Sequence, residues 1–193
     1  MPKIINHATR RDEIAEATIE VISRQGIDST RLVDVARAAN ATTGSITHYF
    51  EGKDAVLLAA LDHLAQRILK GLRESDTTDL IDLSFQILPI DEDGLRDWRV
   101  WLCFVGRALA DPALAKIHKA YYQEFRDGLA ARIDRLQTDK ALNGAIDPLV
   151  TADAIIAAVD GIGLRATLEI EEWPAERQRR QLEFMLRPLL TPR

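Results

Sequence analysis

Residues 32–50 read Leu-Val-Asp-Val-Ala-Arg-Ala-Ala-Asn-Ala-Thr-Thr-Gly-Ser-Ile-Thr-His-Tyr-Phe, and this stretch decides the fold. Leu32, Val35, Ala36 and Ala39 recur at helical spacing, which predicts a short helix over 32–39. Asn tolerates a left-handed backbone, so Asn40-Ala41-Thr42 reads as a tight turn. The Thr42 hydroxyl suits the N-cap of a second short helix over 43–49. Ile46 and Phe50 would then point back into a small core. Two short helices joined by such a turn form the helix-turn-helix pattern. Ala36 and Ala39 are small enough to let the pair cross closely. A generic helical bundle is the alternative. The turn and the brevity of the second helix weigh against it.

Upstream, Ile14, Ala15, Ala17, Thr18, Val21 and Ile22 stripe a helix over 11–25, and Gly26 supplies its stop. Downstream, Phe50-Glu51-Gly52 break the chain before a long helix over 53–73. Further helices are expected at 77–88, 94–110, 112–137, 151–169 and 174–188, punctuated by Pro89, Pro112, Pro148 and Pro174. No strand-type alternation is sustained anywhere, and there are no repeats. The fold class is therefore all-α. A three-helix helix-turn-helix unit occupies residues 1–55, and a larger helical unit occupies 56–193.

The composition fits that reading. The apolar fraction is 47%, normal for a packed protein and too high for disorder. Apolar runs such as 154–159 are far shorter than the ~20 residues of a spanning helix, so no membrane partner is expected. The opening Met-Pro-Lys-Ile-Ile-Asn-His lacks the apolar run of a signal peptide, which points to the cytoplasm. A lone cysteine, Cys103, excludes an internal disulfide and a multi-cysteine zinc site. The four histidines lack metal-ligand spacing, so neither metal nor cofactor is expected. No phosphate-binding glycine loop, nucleophile elbow or paired acid/base motif is present, which argues against an enzyme. The net charge of −5 disfavours a protein that coats nucleic acid, but local bases can still contact phosphates. Lys3, Arg10, Arg11, Arg24, Arg31, Arg37 and Lys53 supply such groups.

The sequence resembles the tetracycline-repressor family through Gly26, Val35-Ala36, Ala39, Thr42, Gly44, Ile46, Tyr49-Phe50, Lys53-Asp54 and Leu57-Leu58. Residues 43–50, 100–104 and 159–166 are similar to the branch that includes the choline-responsive repressors of glycine betaine synthesis. The chain departs from the family pattern at Arg31, Asn40-Ala41 and Thr47. The resemblance implies a dimeric repressor that binds double-stranded operator DNA and is released by a small-molecule effector.

On that reading the helix from Thr43 enters the major groove. Thr43, Ser45, Thr47 and His48 face base edges, and Gly44 lets the backbone approach closely. Thr42, Tyr49 and Lys53 suit phosphates, with Arg31 and Arg10 flanking. Thr42 can instead be only a cap, His48 can pack on the first helix, and Arg31 can be a solvated charge.

Aromatics concentrate at Phe85, Trp98, Trp101, Phe104, Tyr121, Tyr122 and Phe125, with His118 beside them. They are either core or the lining of a pocket between helices. Aromatic faces attract quaternary ammonium groups, and the resemblance points to a choline-like cation. Asp160 is a charge partner for it, or a hydrogen-bonding core residue. The last two helices would pair with a second copy through Ala154, Ile155, Ala158, Gly161, Ile162, Leu182, Met185, Leu186 and Leu189. A ligand-independent DNA binder or interaction adaptor is the alternative function.

Overall fold

The computed structural model describes residues 7–190 apart from 143 and 145; Lys3 lies outside the described residues. The elements are α1 (His7–Gln25), α2 (Leu32–Ala38), α3 (Thr43–Tyr49), α4 (Gly52–Glu74), α5 (Leu80–Phe85), α6 (Glu92–Ala108), α7 (Pro112–Thr138), α8 (Pro148–Leu168) and α9 (Ala175–Leu190). Every regular element among the described residues is an α-helix. None of these helices is long and apolar enough to cross a membrane.

Aspartates set four of the helix starts. Asp79, Asp91, Asp111 and Asp147 each accept backbone N–H groups from the first turn that follows. Pro112 and Pro148 occupy first-turn positions, where a missing N–H costs nothing. These caps explain why α5 starts later than the periodicity suggests, and α6 and α8 earlier.

Three cores stack along the molecule. The first joins α1, α2, α3 and the start of α4 through Ile14, Val21, Val35, Ala36, Ile46, Phe50 and Val56. Its turns follow the sequence. Gly26 ends α1 at φ +80 with its N–H on the Ile22 carbonyl, and Asn40 takes the left-handed turn position at φ 49. The second core joins Ile19 and Ile22 of α1 to Leu57, Leu61 and Leu64 of α4 and to Val100, Phe104 and Leu114. The third holds α5 to α9 around Leu83, Trp98, Ile133, Ile155, Ile162, Leu182 and Leu186. α4 therefore begins against the helix-turn-helix and continues into the larger body.

The third core corrects five interface expectations. Ile155, Ala158, Ile162, Leu182 and Leu186 are all buried within the protomer. α8 is apolar almost all round, so periodicity alone cannot say which stripe faces its own chain. The outward stripe of α8 is Val150, Ala154, Ala157, Gly161, Leu164 and Leu168, at alternating steps of four and three. Phe184, Met185 and Leu189 of α9 are exposed as well.

Candidate DNA interface and effector cavity

α3 presents one face outward. Thr43, Gly44, Thr47 and His48 are exposed, Ser45 and Tyr49 are half-buried, and Ile46 opposite them is fully buried. Thr42 caps the helix by accepting the Ser45 N–H at 3.0 Å while staying exposed. The Thr47 hydroxyl donates back to the Gly44 carbonyl at 3.0 Å. His48 remains exposed and sets its ring edge-on to Tyr49 at 5.2 Å and to His7 of α1 at 6.4 Å. Arg31 sits at the N-cap of α2, paired with Asp34 at 2.9 Å and largely exposed.

Two bases are braces rather than free charges. Arg10, expected as a flanking phosphate group, is mostly buried and tied to Glu13 and to the Ala39 carbonyl, which fastens the end of α2 to α1. Arg11 donates to the Tyr49 carbonyl and lies 4.2 Å over the Phe50 ring. Sequence spacing gave no sign of either long-range tie, because Ala39 and Tyr49 are 29 and 38 residues away. Lys53 donates to the Asp28 carbonyl at 3.1 Å, so its ammonium is fixed beside the loop between α1 and α2. Lys53→Ala is expected to weaken binding to good and poor operators alike. The log–log salt slope should flatten by about one unit. An altered base preference with an unchanged slope in a salt titration would count against a phosphate role.

A cavity of about 300 Å³ opens between α4, α6, α7 and α8. Its apolar lining includes Trp98, Trp101, Tyr122, Phe125, Leu129, Ile68, Leu72, Ile155, Ile156 and Val159. Its polar groups are Arg67, Gln86, Asp97 and Asp160. Trp98 is held on two sides. Its indole N–H donates to the Ile87 carbonyl at 2.6 Å, and its ring lies flush on Gly163, where a Cβ would stand 2.2 Å from a ring carbon. Trp101 stacks with Tyr122 at 5.8 Å and with His118 at 5.3 Å.

Asp160 accepts the Tyr122 hydroxyl at 2.6 Å. Burial raises its carboxyl above the ordinary value, against the lowering pulls of that hydrogen bond and of His118. Burial and then the hydrogen bond to Asp160 push the Tyr122 phenol up. Burial holds the His118 imidazole down, against Asp160. Asp97 is likewise raised by burial, although Arg67 and Arg96 pull it down.

The cavity thus gathers Trp98, Trp101, Tyr122, Phe125 and Asp160 from the expected set. Four expected residues lie elsewhere. Phe104 is buried in the second core, facing α1 and α4. Phe85 packs on the third core beneath the Arg179 guanidinium. Tyr121 points away and donates to Asp62 at 2.9 Å. His118 stands behind the Trp101 and Tyr122 rings rather than on the lining. Aromatic density pointed to α6 and α7, two of the four helices around the cavity, but each helix turns only one stripe to it. No cluster of three or more metal-ligating side chains occurs among the described residues.

Residues 14–60 match the family described as bacterial regulatory proteins, tetR family. Residues 82–191 match the BetI-type transcriptional repressor, C-terminal family. The chain belongs to the TetR family, with a BetI-type C-terminal domain. TetR-family proteins are transcriptional regulators, so this chain is a DNA-binding repressor of the ligand-responsive type and not an enzyme. It is 27% identical to the HTH-type transcriptional regulator PksA of Bacillus subtilis, over 88% of this chain and 84% of that one. It is 27% identical to BetI of Stenotrophomonas maltophilia, over 93% and 92%. A transcriptional regulator from Rhodococcus sp. Rha1 superposes with a TM-score of 0.79 at 26% identity, covering 94% and 99% of the two chains. A regulator from Saccharomonospora viridis, solved in complex with choline, has the same fold at a TM-score of 0.80 and 21% identity, covering 96% and 100%.

Proposed function

We propose that this TetR-family repressor acts in the cytoplasm as a homodimer on a near-palindromic operator and is released by a choline-like cation. The observation that carries the effector is the cavity itself: Trp98, Trp101, Tyr122 and Phe125 around the half-buried carboxylate of Asp160. Aromatic faces and a nearby carboxylate together favour a cation that carries its own apolar methyl groups. BetI relatives and a choline-bound structural neighbour point the same way. In this reading residues 1–55 read DNA and residues 56–193 bind effector and partner. The α8 stripe of Val150, Ala154, Ala157, Gly161, Leu164 and Leu168, joined by Phe184, Met185 and Leu189, packs on its own copy. Two α3 helices then enter successive major grooves ~34–36 Å apart.

Calorimetric titration with choline, betaine aldehyde and polyamines tests the effector. Choline is expected to bind and to lower operator affinity. Trp101→Ala should weaken choline binding by about 1–2 kcal/mol, the value of one aromatic wall. Its melting temperature without ligand should fall less than that of Trp98→Ala, because Trp101 is half-buried at the edge of two cores whereas Trp98 is core. Equal choline affinity in both proteins removes Trp101 from the site, and an effector that is anionic or purely apolar removes the cation.

A further inference from the structure

One guanidinium touches both the cavity and the DNA-binding unit. Arg67 of α4 lies on the cavity wall. Its Nη2 donates to both carboxylate oxygens of Asp97 on α6, each at 2.7 Å, and Asp97 lines the same cavity. Its Nη1 donates at 2.8 Å to Glu16 of α1. Arg96 of α6 closes the ring, 3.1 Å from Glu16 and 3.2 Å from Asp97. His63 of α4 adds a contact to Glu16 at 3.4 Å. Glu16 also lines a polar cleft bordered by Ala38, the last residue of α2, and by Ala39 and Asn40 of the turn that follows. Of the other acidic residues on α1, Glu13 pairs with Arg10 and Glu20 with Arg24, while Asp12 lies 3.8 Å from His63 of α4 and touches neither Arg67 nor Arg96.

Apolar packing between α1 and α4 is non-directional, so small shifts leave it nearly intact. Charge-assisted bonds of this geometry are directional, and a lost partner is felt at once. We propose that Arg67 is the positioning residue that reports occupancy of the cavity to α1: a cationic or hydrogen-bond-donating group arriving at Asp97 competes with Arg67, which then loosens its hold on Glu16. The relay rests on the reading that this cavity takes the effector. It supplies the element that a ligand must bias if binding is to move DNA affinity.

A ligand-free double-mutant cycle tests it on the full chain. Asp97 faces the cavity and not the DNA, so Asp97→Asn can reach operator affinity only through the protein. Asp97→Asn is expected to weaken operator binding at least about five-fold in the otherwise unchanged chain. In a Glu16→Gln background the same change should act within about two-fold, whatever level Glu16→Gln itself sets. In a Glu20→Gln background the full effect should persist. Arg67→Gln, run through the same cycle, covers the case in which Asp97→Asn lowers the melting temperature. An effect of Asp97→Asn that is the same with and without Glu16, or absent throughout, overturns the relay. A chain that ignores choline yet shows the cycle loses the choline-like cation and keeps the coupling from Asp97 through Arg67 to Glu16.

Discussion

Leu164→Glu is expected to give folded monomers whose operator affinity is lower by about 10²- to 10⁴-fold, the gain that a second tethered half-site contributes. Leu164 is exposed in the protomer, in the C-terminal half of the outward stripe of α8. Glutamate there touches none of the three cores, so helix content and the cavity should be unchanged. In a symmetric dimer the substitution enters the contact twice, once from each copy, and places two like charges in apolar surface. Leu168, 72% exposed, is the second test position and should behave alike. Ile155→Asp is the wrong experiment. Ile155 is fully buried among the helices of its own chain, and a charge there unfolds the protomer whatever the interface. Sedimentation equilibrium with circular dichroism separates the cases. An intact dimer for both Leu164→Glu and Leu168→Glu would move the interface away from α8.

The same helix shows where sequence reading stops. Much of residues 32–50 is legible: a left-handed Asn40, a Thr42 cap and an inward Ile46 all follow from local chemistry. Local chemistry also governs the aspartate caps, and the pattern Asp147-Pro148 marks the start of α8 as plainly as Asp111-Pro112 marks that of α7. Which side of α8 faces home is different information. Val150 and Ile155 are both aliphatic, yet one is solvent-facing and the other core, because the choice depends on where α6, α7 and α9 lie. The cavity divides in the same way. Its aromatic helices were found by density, but Arg67 and Asp97 carry no local signal. Their partners are 51 and 30 residues away, and each residue read singly is a charge on an amphipathic helix. Glu16 likewise reads as one of several solvated acids until α4 and α6 are laid against α1.

Gly44→Leu is expected to bring operator binding down to the non-specific level, a loss of about 10³-fold or more, in a protein that folds as well as the parent. The fold has no need of glycine at this position. A Cβ built on Gly44 meets only the Thr42 hydroxyl oxygen, at 3.8 Å, an ordinary contact. The backbone there is helical rather than left-handed, and leucine has the better helix propensity by up to about 1 kcal/mol. Stability should therefore hold or rise. DNA binding should not, because Gly44 lies in the first turn of α3 beside the exposed Thr43 and Thr47, on the face proposed to enter the groove. On that reading a leucine side chain stands between the helix backbone and the DNA and lifts the neighbouring threonines out of hydrogen-bonding reach. Gly44→Ala should fall between the two, since a methyl group displaces the helix less. Fluorescence anisotropy with DNA from upstream of the chain's own gene gives the affinities, and calorimetry gives the melting temperatures. A Gly44→Leu protein that melts like the parent and binds that DNA equally well would mean that the first turn of α3 stays clear of the duplex, and base recognition would then have to come from another element.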